Sequence, residues 1–243
     1  MKPRTVLMVL GVLVGSAVCV RAGLWQLSRW QQKHALRARL ERVLVEPPLA
    51  CGGTPPAPER AIGRRISLVG RYDESRQFLL RGRLHEGEQG VEVVTPLIVA
   101  GGPAVLVERG WLAAVDGATA RPADCPEPGE RAVVGYVERL ERSPAGYPYV
   151  RMAGDSLALY SAALLDPDSL AARLPYPIAP YLVRESPGPA VAPWPRRSAP
   201  EPPNDTMHLS YAVQWFSFAA ILLLGSAWLA WSRRDRRSRK PAR

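Results

Sequence analysis

Hydrophobic and polar positions along the 243-residue chain fall into three regimes. Leu209 to Trp231 runs 23 residues without a charge; at 1.5 Å per residue it reaches roughly 35 Å, enough to cross a bilayer core, and it predicts a transmembrane helix. Val6 to Leu27 predicts a second, with Arg21 as its only charge, near the end where a long side chain can snorkel to the headgroups. Between the spans the apolar residues come in short runs rich in Val, Ile and Leu and separated by Gly, Asp, Pro or Ser. These are Arg65–Tyr72, Gln77–Gly82, Val91–Val99, Ala104–Leu112 and Glu130–Glu138, and they predict strands of an antiparallel, partly barrelled sheet. Gly101-Gly102-Pro103 marks the turn of a hairpin from Val91 to Leu112, and Pro96 in its first arm calls for an edge or a bulge. Asp166 as N-cap, Pro167 at the first helical position and Pro175 as stop predict one helix, before a last strand at Ile178–Glu185.

The polar stretches complete the organisation. Arg29 to Leu44 is dominated by helix formers with no breaker before Pro47, so the first span should continue as a polar helix. Residues 46–59 and 185–205 hold five and seven prolines, too many missing amide donors for a packed element, and read as linkers or surface loops. The expected fold class is α+β. Residues 1–5 are expected as a cytoplasmic N-terminus, 6–27 and 209–231 as the spans, 28–208 as one periplasmic domain, and 232–243 as a basic cytoplasmic tail.

Charge orients this arrangement. Arg233, Arg234, Arg236, Arg237, Arg239, Lys240 and Arg243 stand against a single Asp235, and the positive-inside rule puts such a run in the cytoplasm, with the amino terminus beside it and the domain outside. Basic residues just after the first span, such as Arg29 and Lys33, argue the other way, but long domains translocate largely regardless of charge. The net charge of +10 is confined to the membrane-facing ends: ten of the 32 basic residues and only one of the 22 acids lie outside the domain, whose formal charge is +1. That excludes a nucleic-acid footprint. Cys19-Val20-Arg21-Ala22 is a poor cleavage site, so the first span is expected to stay as an anchor, in a bacterial inner membrane with both termini cytoplasmic.

Candidate chemistry is sparse. His34, His85 and His208 stand at no metal-site spacing, phosphate loops and nucleophile elbows are absent, and Asp166 and Asp168 read as helix capping; an enzyme is not expected. Cys19 reads as a small apolar residue within the membrane, whereas Cys51 and Cys125 lie in Pro/Gly-rich loops and the sequence leaves their pairing open. The outer ends of the spans hold more: Trp25 and Arg29 four apart in the first, and His208, Tyr211 and Trp215 at i, i+3 and i+7 in the second. Aromatic residues gather at interfaces in any membrane protein, but a neutral imidazole there is also a ready iron ligand.

Six segments in order resemble one family. Gly23-Leu24-Trp25-Gln26-Leu27-Ser28-Arg29 followed by Lys33, Val69-Gly70-Arg71-Tyr72-Asp73, Gln77-Phe78-Leu79-Leu80, Val94-Thr95-Pro96-Leu97, Val107-Glu108-Arg109-Gly110-Trp111 and His208-Leu209-Ser210-Tyr211-Ala212-Val213-Gln214-Trp215-Phe216 are similar to stretches of the Surf1 (Shy1) cytochrome c oxidase assembly proteins. Val91, Glu108 and Arg21 depart from the family pattern. The resemblance implies a non-enzymatic, membrane-anchored factor that assists insertion of haem a into oxidase subunit I, or its retention there, with subunit I and the haem a delivery machinery as partners. Carried over by position, His208 matches the motif histidine proposed as haem ligand, with Tyr211 and Trp215 its neighbours; Trp25 and Arg29 reach the same depth, and Arg29 could pair a propionate. The alternative is a cofactor-free interaction protein that binds an oxidase or other membrane-complex subunit through its sheet. Arg109-Gly110-Trp111 reads either as a fold determinant, with a turn at the glycine and a buried indole, or as a partner contact. Tyr72 and Asp73 read as turn residues, and Gln214 as an amide able to bond across to the first span.

Overall fold

A computed structural model describes residues 3–142, 148–152, 158–189, 191–202 and 204–238, with side chains to Arg233; Arg239, Lys240 and Arg243 of the basic tail, and the first two residues, lie outside the described residues. In chain order the elements are α1 (Pro3–Val45), β1 (Leu49–Gly52), α2 (Pro58–Ala61), β2 (Arg65–Tyr72), β3 (Arg76–His85), β4 (Glu88–Ile98), β5 (Ala104–Ala113), β6 (Glu130–Arg139), β7 (Val150–Arg151), β8 (Ala158–Ala162), α3 (Pro167–Ala171), β9 (Ile178–Glu185) and α4 (Thr206–Ser238). They divide into two units: residues 1–41 with 202–243, and residues 42–201.

The first unit is a hairpin of two long apolar helices, each able by length and composition to cross a membrane. With no proline or glycine between Leu24 and Val45, α1 runs on without a break into its polar half. The two helices meet along small residues, Ser16, Cys19 and Gly23 of α1 and Ala212 and Ala219 of α4, which are buried while most of both apolar stretches face outward. Small side chains let backbones approach where lipid replaces water. Gly23 shows how closely: a Cβ there would lie 2.8 Å from the Phe216 ring.

In the second unit, β2, β6, β9, β5 and β4 pair in that order, and β4 returns to β2 through Arg71↔Ile98 and Tyr72↔Leu97, closing a five-stranded barrel. Its interior draws one apolar row from each strand, including Leu68, Leu97, Val107, Val133 and Val183. Beyond β4 the sheet continues to β3, β8 and β7, and α3 covers an outer cluster around Phe78, Leu106, Leu170 and Leu182. Asp166 caps α3, its carboxylate accepting from Ser169 N at 2.9 Å. Pro96 is tolerated because its carbonyl accepts from Asp73 N at 2.8 Å, so its missing amide faces the point where β3 has ended, at Val94, and β2 takes over, at Leu97.

Three features differ from the sequence reading. Residues 46–59 are not wholly loose: β1 pairs in parallel with β2. Within 185–205, Trp111 and Arg196 exchange both backbone hydrogen bonds at 2.9 Å, binding the proline-rich return onto the barrel. Cross-strand hydrogen bonds to an established edge outweigh the poor strand propensity of Pro/Gly-rich sequence. Finally, Tyr72 lies buried in the barrel wall rather than in a turn, while Asp73 does close the turn, accepting from Ser75 N at 3.1 Å.

Candidate functional site

The helical hairpin carries most of the residues singled out by sequence. Near its closest approach, His208 Nδ1 lies 2.8 Å from Gln26 Oε1. The amide oxygen only accepts, so Nδ1 donates in this contact, and in the matching neutral tautomer Nε2 keeps its lone pair for another partner. This is how a protein fixes the tautomer of a metal-binding histidine. Gln26 follows Gly23 by three positions and so lies on the face that meets α4. Trp25 and Arg29 occupy the neighbouring face as a pair, the guanidinium 5.8 Å from the indole centroid and donating to Gln32 Oε1 at 3.2 Å. Trp25 is 55% exposed and Tyr211 47%, while the half-buried Trp215 meets Phe218 edge to face at 6.1 Å. Thus the bond that crosses the hairpin comes from Gln26, whereas Gln214 faces outward.

Beyond His208 a second polar contact joins the helices. Asp205, just before α4, takes His34 Nδ1 at 2.8 Å and Arg37 Nη1 at 3.4 Å, and His34 stacks on Trp30 at 5.2 Å. The His34 hydrogen bond holds the Asp205 carboxyl below its ordinary range, with Arg37 assisting. Sequence reasoning missed Gln26, His34 and Asp205 as partners, since an antiparallel helix pair brings together residues about 170 to 180 apart whose register no local pattern records. A groove on α1 of about 790 Å³, bordered by Val14, Arg21, Trp25 and Ser28 among others, centres on the side of the helix away from Gln26 by helical phase. Trp25 therefore borders a surface separate from the His208 contact.

The barrel unit holds a buried charge cluster that sequence patterning also missed. A bulge in the β4–β5 ladder pairs Val93 with Gly110 and Val94 with Glu108, leaving Arg109 as the extra residue. Its fully buried guanidinium donates to Cys125 O at 2.6 Å and Gln77 Oε1 at 3.3 Å. Both Arg109 and Arg131 flank the Tyr72 ring, at 5.1 and 5.2 Å. Arg197 donates to Glu185 at 3.0 and 2.8 Å and pairs with Glu127, which also binds Arg131; Tyr72 Oη donates to Glu185 at 3.1 Å. Burial lowers the Arg109 pKa, as expected for a cation removed from water, and raises that of the Tyr72 phenol. Gly110, at φ +132°, is where Arg196 seats: a Cβ there would lie 2.5 Å from Arg196 O. Arg109-Gly110-Trp111 is thus a fold determinant, but as a bulge and clasp rather than a strand-end turn.

A polar cavity of about 380 Å³ lies on the outer barrel face, lined by Arg83, His85, Glu92, Glu108, Glu138 and Arg184 with residues 198–201. Burial, reinforced by Glu108, pushes Glu92 up to about 7, and burial raises Glu108 as well. Cys51 and Cys125 are free thiols. Among the described residues no group of three or more His, Cys, Asp or Glu is placed to hold a metal ion.

The SURF1 family model matches residues 13–220, spanning both helices and the barrel. The chain belongs to the SURF1 family. Over 227 residues it is 28% identical to uncharacterized SURF1-like proteins of Mycobacterium bovis and Mycobacterium tuberculosis, covering 90% of this chain and 80% of theirs. A SURF1-like protein of Rickettsia felis is 26% identical over 102 residues, 41% of this chain and 44% of that protein. The family match takes in all six motif segments and ends before the basic tail, so within the SURF1 frame the Gln26–His208 contact and the Arg109 clasp both lie in the matched region.

Proposed function

We propose that this SURF1-family protein is a membrane-anchored assembly factor for a haem-copper cytochrome c oxidase, assisting insertion of haem a into subunit I or its retention there. In this reading, residues 6–27 and 209–231 cross the bacterial inner membrane, both termini are cytoplasmic and residues 28–208 are periplasmic. The observation that carries it is the Gln26–His208 hydrogen bond: it commits Nδ1 and leaves Nε2 as a lone-pair donor of the kind an iron centre accepts. His208 would hold the iron through Nε2, Gln26 would fix the ring, and Arg29 would pair a propionate in the charge-assisted manner of guanidinium and carboxylate. Tyr211 and Trp215 would offer aromatic surface to the macrocycle, while Trp25 lies on a separate surface of α1. The two helices work here as a clamp for a cargo that passes on to the receiving subunit, and the barrel domain spaces them and recruits that subunit.

The test is an absorption spectrum of the full chain purified from cells that make haem a. The native chain should carry the haem band and His208→Ala should lose it, with assembled oxidase activity falling in the same cells. A native chain without haem, or a His208→Ala chain with undiminished haem, would sink the ligand assignment. Loss of oxidase activity on deletion alone would then favour the cofactor-free alternative, in which the sheet binds the subunit directly.

A further inference from the structure

At the far end of the hairpin from His208 the two helices part. A Cβ on Gly23 would press on Phe216 at 2.8 Å and one on Gly15 would touch Leu222 at 3.5 Å, whereas Thr5 and Met8, three turns before the buried Ser16 and Cys19 and so on the same face, are exposed. The space that opens is a groove of about 390 Å³, bounded by Thr5, Met8 and Val12 of α1 and by Leu229, Ala230 and Arg233 of α4. From Thr5 to Val12 it runs about 10 Å along the helix, much of the roughly 15 Å depth of one leaflet. Its walls are mostly apolar, with Thr5 and Ser226 as polar members, and the exposed guanidinium of Arg233 belongs to its lining.

We infer that this groove binds a single anionic phospholipid, an acyl chain lying between the splayed helices and the phosphate held at Arg233. Charge selects this occupant. Arg233 opens a run continued by Arg234, Arg236, Arg237, Arg239, Lys240 and Arg243 against Asp235 alone, and Arg4 lies at the same end of α1. Arg233 in the lining, followed in the sequence by a basic run, matches the chemistry of a phosphodiester headgroup. A zwitterionic lipid offers the same chains but no net charge, and inorganic phosphate offers the charge without the chains. The bound lipid fills what would otherwise be a void between the helices and holds their spacing at this end.

Reconstitution of the full chain in phosphatidylcholine vesicles, with spin-labelled phosphatidylglycerol in one sample and spin-labelled phosphatidylcholine in another, measures the immobilised fraction of each. Labelled phosphatidylglycerol should be retained preferentially. Arg233→Gln should lower that preference about five-fold, as expected for one basic residue at an anionic headgroup, and Arg233→Lys should keep it. Ala230→Phe fills the groove and leaves the basic run whole, so it should abolish the immobilised class; Val12→Phe does the same from α1, and circular dichroism verifies that each variant is helical. Equal retention of both lipids overturns the inference, as does unchanged retention in helical Phe variants, because the tail would then act as a diffuse patch. Displacement of the labelled lipid by millimolar inorganic phosphate also overturns it, since the site would then recognise the anion without the chain.

Discussion

Gln26 does for His208 what a supporting residue does at a metal site: it settles which ring nitrogen is free and which way the ring faces. On the proposed ligand role of His208, Gln26→Ala should weaken haem retention about ten-fold while leaving His208 in place, read as faster loss of the haem band on dilution into apo-myoglobin. Gln26→Glu keeps an acceptor and should retain most of the binding. Glu92 offers an independent check in the barrel unit. Its pKa is raised in the folded state from 4.5 to about 7, so folding favours the protonated form and the native state loses stability as pH rises from 4.5 through about 7. Glu92→Gln should flatten that part of the profile and raise Tm at pH 8, as differential scanning calorimetry can measure. A steeper profile in the variant would contradict the assignment of its burial and the repulsion from Glu108 as the cause.

The elements differ in how plainly the sequence announces them. β2 and β9 fall at the expected limits because runs such as Arg65–Tyr72 alternate cleanly and end in turn residues. β1 and β8 are not legible: Leu49–Gly52 sits among prolines and glycines, and Ala158–Ala162 is ordered as a strand by pairing with β7 and, in parallel, with β3 about 80 residues earlier. The Arg196–Arg197 return is likewise invisible, since its order depends on the Arg109 bulge and on Gly110. Arg197→Met removes one cation from a cluster shared with Glu127 and Glu185, and leaving buried carboxylates under-paired should cost about 3 kcal/mol. Thermal unfolding should show it as a Tm lower by roughly 6–12 °C. Gly110→Ala should instead act locally, costing about 1–3 kcal/mol for the strained backbone and freeing the return for cleavage by a protease between residues 186 and 201.

At the scale of the whole molecule, the proposed topology makes its own prediction: a fluorescent protein fused after Arg243 should fold and fluoresce, whereas alkaline phosphatase at the same position should be inactive, because only the cytoplasmic side favours the first and disfavours the second. The sequence by itself determined two apolar helices around a β domain, the α+β class, most of the barrel strands and membership in a family marked by motifs along its length. These are local or compositional: length and hydropathy set a span, alternation sets a strand face, and motif residues can be matched one by one. Tertiary structure alone decided that β2 and β4 close the barrel, that Tyr72 enters a buried cluster of arginines and glutamates, that His208 meets Gln26 and that a groove opens between the helices beside Thr5 and Val12. Each joins residues far apart in the chain, and the free energy that selects such a contact comes from burial and hydrogen bonding between surfaces that exist only once the chain has folded.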